Sequence, residues 1–115
     1  MEKLTGILFL TLAALLGSAG MRASADFQKG VTAAQSGDFE TALLEWAPFA
    51  VQGNASPQFN LGVMYDNGQG GPQDDKAAAK WHTRAAKQGH AKAQYNRGLI
   101  YNFGQGVPKD YKTAV

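Results

Sequence analysis

The chain nearly repeats itself. Shifted by 36 positions, residues 55–79 match residues 91–115 without a gap and agree at 12 of 25 places, among them Gln58/Gln94, Asn60/Asn96, Gly62/Gly98, Tyr65/Tyr101, Gly68/Gly104 and Asp74/Asp110. At the same offset Ala50, Gln52 and Gly53 fall on Ala86, Gln88 and Gly89, while Phe27 and Gly30 fall on Phe59 and Gly62 at an offset of 32. A unit recurring at this length is one supersecondary element that cannot bury its apolar face alone. The chain must therefore stack such units in a row rather than wrap one enclosed core.

Each unit reads as two helices, which makes the class all-α. In the middle unit a helix from Ala55 to about Asn67 carries Phe59, Gly62, Val63 and Tyr65 at three- and four-residue spacing and stops at Gly68-Gln69-Gly70-Gly71. Pro72 is expected to open the second helix, with Asp74 and Asp75 in its first turn, and Gly89 to end it. The third unit repeats the plan from Ala91 to Phe103, with a further helix beginning near Asp110; the first has helices over about 26–35 and 39–52. Glycine inside a helix costs about 1 kcal/mol against alanine, so Gly62 and Gly98 need a packing reason. The expected one is close approach to Ala78 and Ala114 of the partner helices, with Tyr65 and Trp81 filling the flanks.

The Leu61-Gly62-x-x-Tyr65 pattern followed by an alanine-rich helix resembles the tetratricopeptide repeat, whose period is about 34. The segment Ala91-Lys92-Ala93-Gln94-Tyr95-Asn96-Arg97-Gly98-Leu99-Ile100-Tyr101, the Gly104-Gln105-Gly106-Val107-Pro108 loop and the run from Trp81 to Ala91 are more similar to the Sel-1-like repeat, as is the 36-residue period. Pro57, Gly71 and Arg97 depart from that family's pattern, and Arg97, standing for a leucine, marks an expected exposed position. The resemblance implies a right-handed α/α solenoid that binds proteins or peptides along its concave face. Its units would be about 26–54, 55–90 and an incomplete 91–115, leaving Leu99, Ile100 and Tyr101 partly uncovered. That open end predicts either a piece of a longer array or self-association.

The first 25 residues read as an address. Leu4 to Leu16 is a 13-residue apolar stretch, and Ala23-Ser24-Ala25 fits the small-x-small rule for cleavage, so the mature chain is expected to begin at Asp26, after cleavage at Ala25, in the periplasm or outside the cell. The alternative is an uncleaved N-terminal helix anchoring a structural envelope protein, the membrane contact then lying in that segment alone.

Candidate chemistry is sparse. With no cysteine, the chain has no disulfide framework, thiolate zinc site, iron–sulfur cluster or cysteine nucleophile. His82 and His90 fall eight residues apart on either side of Gly89, which argues against a shared metal. Some cysteine-rich relatives of this fold are associated with penicillin binding, which makes a β-lactamase-like or cell-wall-active enzyme the alternative from another class. Neither Ser36 nor Ser56 is followed by lysine three places on, so that reading lacks its nucleophile. The Gly-Gln-Gly loops precede helix N-termini as phosphate cradles do, but without a P-loop lysine they read as tight turns, and no cofactor is expected.

Charge is unevenly spread. Residues 26–70 hold Lys29 against Asp26, Asp38, Glu40, Glu45 and Asp66, a net −4, whereas residues 71–115 hold eight cations against three aspartates, a net +5. Lys76, Lys80, Arg84 and Lys87 share one helix face, which reads as a solvated surface or a landing strip for an acidic partner or an anionic envelope component. No basic run with interleaved aromatics points to nucleic acid. The expected protein-binding surface is the first helix of each unit: Asn60, Val63 and Asn67, matched by Asn96, Leu99 and Phe103. Asparagine amides can hold a peptide backbone, and Leu99 or Phe103 can anchor an apolar side chain.

Overall fold

The computed structural model describes residues 25–114, so the expected secretory segment lies outside the described residues except for Ala25. Among the described residues six helices follow one another: α1 (Phe27–Gln35), α2 (Phe39–Val51), α3 (Ala55–Asn67), α4 (Asp75–Lys87), α5 (Ala91–Phe103) and α6 (Tyr111–Ala114). Each packs on the next in chain order, and among the described residues there is no strand.

The repeated residues are the ones that make the repeated bonds. Asp38, Asp74 and Asp110 precede the second helix of each pair, and their carboxylates accept from the backbone N–H three residues on, at 3.3, 3.1 and 3.3 Å. The backbone N–H of Asp74 donates to the Tyr65 carbonyl and that of Asp110 to the Tyr101 carbonyl, both at 3.0 Å, which turns the loop back onto its own first helix. One repeat is tied to the next by Gln58 Nε2 donating to the Ala50 carbonyl and Gln94 Nε2 to the Ala86 carbonyl, both at 3.1 Å. Gly68 and Gly104 end α3 and α5 at φ 65° and 69°, the left-handed region that other residues avoid.

Asp74 corrects the expected start of the second helix. Pro72 does not open α4, which begins three residues later at Asp75, because the Asp74 side chain caps the Ala77 N–H and holds Asp74 itself in extended geometry. In α2 the helix runs through Pro48, which has no N–H to give the preceding turn. Pro57 sits in the first turn of α3, where no such bond is required.

The reason for the helix-interior glycines also differs from the expected one. The nearest atoms to a Cβ on Gly62 would be those of the His82 ring, at 2.6 Å, rather than Ala78, and a Cβ on Gly30 would lie 2.4 Å from the Trp46 ring. His82 follows Trp46 by 36 residues, so each of these two pairs lays a planar ring of its second helix flat on the glycine of its first. Trp81 instead joins the core with Trp46, Ala42, Leu61 and Met64, and Tyr65 packs at its edge. Gly98 keeps its expected neighbour, since a Cβ there would meet the Ala114 carbonyl oxygen at 2.7 Å.

Two expectations for the last unit fail. Arg97 is half-buried rather than exposed: its guanidinium donates to the Thr113 carbonyl at 3.4 Å and lies 5.4 Å from the centre of the Tyr101 ring. Ile100 is buried, not uncovered. Leu99 alone of the three expected residues is exposed, and Tyr101 is half-buried.

Candidate functional site

The expected binding residues divide by exposure. Asn67, Leu99 and Phe103 are open to solvent, whereas Asn60, Val63 and Asn96 are half-buried. On α5 the sequence reading missed Tyr95. It is 69% exposed and stands one helical turn before Leu99 (38%) and two before Phe103 (61%), so three large apolar side chains form a stripe along one face. The four-residue spacing carried that signal, but the match of Tyr95 with the partly buried Phe59 disguised it. The two first helices α3 and α5 meet at one end, where the Phe59 ring stacks on His90 at 4.7 Å between centroids. The amides of Asn60 and Asn96 belong to different first helices, each packed against α4 between them.

The histidines are structural. His90 caps α5, its Nδ1 accepting from the Ala93 N–H at 3.2 Å. His82 is wholly buried, with Nε2 3.2 Å from Asp66 Oδ2 and its ring 5.5 Å from that of Phe59. Its Nδ1 is buried without a hydrogen-bond partner. Among the described residues no three His, Asp or Glu side chains gather as a metal would need. Burial pushes the His82 pKa below the ordinary imidazole range, outweighing the opposing pull of Asp66.

That shift makes a pH prediction. Above about pH 7 both the folded and unfolded chains hold the ring neutral; below about pH 6.5 the unfolded chain takes a proton that the folded one resists, so stability falls as pH falls. The melting temperature is expected to drop over that limb, and His82→Phe to flatten it. A second loss belongs to lower pH, where Asp38 and Asp110, whose carboxyls are held below their usual range by hydrogen bonds from Thr41 and Thr113, take up protons. A wild-type melting temperature constant from about pH 8 to about pH 5 contradicts the assignment.

The glycine loops are contacts between units. A Cβ on Gly106 would lie 2.5 Å from the Asp75 backbone, and one on Gly70 would lie 2.9 Å from the Phe39 carbonyl oxygen, 36 residues earlier. Each loop thus rests its second glycine on the first turn of the preceding unit's second helix. In the case of Gly106 this fills the space in front of α4 that a phosphate would need.

The four cations Lys76, Lys80, Arg84 and Lys87 of α4 do line one surface groove. Among the described residues no helix is long and apolar enough to cross a membrane.

Stacked helix pairs joined by repeated capping, turn and inter-unit hydrogen bonds define an α/α solenoid. The Sel1 repeat matches residues 58–90 and 91–115, and the chain belongs to the Sel1 repeat family. It is 32% identical to a Sel1 repeat protein from Oxalobacter formigenes of known crystal structure, with a TM-score of 0.69 over 81% of this chain and 37% of that one. It is 34% identical to a protective antigen of uropathogenic Escherichia coli with an SLR fold, with a TM-score of 0.69 over 74% of this chain and 19% of that one. The chain thus spans a minor part of the length of either. Comparison with curated proteins gives no match. Repeats of this family typically serve as protein–protein interaction modules.

Proposed function

We propose that the chain is an exported, non-enzymatic interaction module that captures a segment of another protein on the first-helix surface, with α5 as its anchor. The observation that carries this is the Tyr95, Leu99 and Phe103 stripe, large apolar side chains exposed at one-turn intervals beside Asn96. A partner helix or strand laid along α5 would bury those side chains, and the Asn96 amide would supply a donor and an acceptor at the rim.

Export rests on the N-terminal pattern and on what Asp26 does. Its side chain caps α1 by accepting from the Lys29 N–H at 3.0 Å, and its backbone nitrogen lies 3.0 Å from Oε1 of the buried Glu45. Cleavage after Ala25 would turn that nitrogen into an ammonium group beside a carboxylate, a favourable pairing at a new chain end.

A photoreactive residue placed at Leu99 tests the binding face. In the exported fraction it is expected to cross-link to a discrete protein, while the same residue at Leu44, exposed on α2, does not. Leu99→Asp with Phe103→Asp is expected to remove the adduct and leave the helical circular dichroism unchanged. Equal adducts from both positions would contradict the reading, and an adduct of twice the chain's mass would replace it with self-association.

A further inference from the structure

Lys76, Lys80, Arg84 and Lys87 line a groove of about 330 Å³ whose walls include Tyr101 and Val107. Among the described residues none of the four cations pairs with a carboxylate. Solvation alone does not account for them. In the preceding unit, 36 residues earlier, the same positions hold Glu40, Leu44, Pro48 and Val51, and Leu44 and Val51 are 66% and 74% exposed. The fold therefore accepts apolar residues on this face, and the positive charge is particular to α4. Two of the heads are also held in place: Lys80 Nζ and Arg84 Cζ each lie 5.0 Å from the centre of the buried Trp81 ring.

We propose that this groove binds an acidic segment of another protein, its carboxylates pairing with Lys76 and Lys87 at the two ends and with Lys80 and Arg84 between them, and an apolar side chain resting on Tyr101 and Val107. Lys76 and Lys87 are three turns apart, about 16 Å along the helix, which an extended chain spans with about five residues. A second copy of this chain is a poor occupant, because four of the five carboxylates of its acidic half, all but Glu40, are engaged within the fold. Asp26 and Asp38 cap helices, Glu45 is buried beside Lys29, and Asp66 bonds His82. A membrane surface is also a poor match, since cations flanking an apolar-walled groove suit a chain with side chains better than a flat layer of headgroups. This surface is distinct from the α5 stripe: Tyr101 lies two residues, about 200° around the helix, from both Leu99 and Phe103.

The test is fluorescence anisotropy of the full chain with a labelled peptide of about 12 residues alternating glutamate and valine, at about 50 mM and about 500 mM salt. Binding is expected at low salt and to weaken at least about tenfold at high salt, with the matching lysine–valine peptide not bound. Lys76→Glu with Lys87→Glu is expected to cost at least about tenfold in affinity, while Lys92→Glu with Lys112→Glu, the same change in net charge elsewhere, stays within about twofold of wild type. Circular dichroism checks that both variants are folded. No binding at low salt, or equal losses in the two variants, would overturn the proposal. Release of the peptide by phosphatidylglycerol vesicles but not by phosphatidylcholine vesicles would overturn it in favour of a membrane surface.

Discussion

Replacing Gly62 by leucine is expected to cost about 3 kcal/mol and to lower the melting temperature by about 15 °C. Leucine favours a helix over glycine by nearly 1 kcal/mol, so propensity alone predicts a gain. Packing reverses the sign. The first added carbon would already sit 2.6 Å from the His82 ring, which is wholly buried, so neither the new side chain nor the ring can swing into solvent. The ring must be driven off Asp66 and Phe59, or α3 must part from α4. Thermal unfolding followed by circular dichroism measures the loss, and an unchanged or raised melting temperature contradicts the packing described.

Trp46→Ala is expected to be at least as damaging, at about 4 kcal/mol, and to act on α1 first. The indole is 6% exposed and joins the first pair three ways. It lies on Gly30, its Nε1 donates to the Phe27 carbonyl at 3.1 Å, and its ring is 5.8 Å from that of Phe27. Without it α1 keeps the Glu45 contacts with Asp26 and Lys29, which lie at the start of the helix, and loses the ring on which Gly30 rests in the core shared with Val31, Ala33 and Ala34. Backbone amides of residues 30–35 should therefore lose hydrogen-exchange protection before those of α3 and α4. Trp46→Phe, which restores a ring without the donor, should recover more than half of the loss. Uniform deprotection across all helices would show instead that α1 unfolds only with the whole chain.

The helices were legible because their signals are local. Periodic apolar residues, the 36-residue register and the Gly68 and Gly104 stops place α3 and α5 at their observed bounds. The start of α4 was not, because Pro72 and Asp74 are both good helix openers and only tertiary structure shows that Asp74 takes the cap. The ring over glycine was hidden for a different reason. Trp46 and His82 occupy one repeat position, yet tryptophan reads as core and histidine as polar, so their shared shape, a flat plate, does not register in a comparison of residue types. Arg97 misled in the same way: its charge suggested solvent, while its planar guanidinium fits between the Tyr101 ring and the α6 backbone. On the proposed binding face the asparagines stand out in sequence as a repeated type, whereas exposure, which depends on neighbouring helices, singles out Tyr95, Leu99 and Phe103 on α5.

The stacking of one flat side chain on one glycine packs the two helices of each of the first two pairs closely together. The most direct measurement of this claim is a double-mutant cycle between Gly62→Leu and His82→Ala. If the ring and the glycine share one space, removing the ring makes room for the leucine, and the double variant should be more stable than the sum of the single losses predicts by at least about 1 kcal/mol. Losses that add to within about 0.5 kcal/mol would mean that Gly62 and His82 do not meet, and would contradict the account.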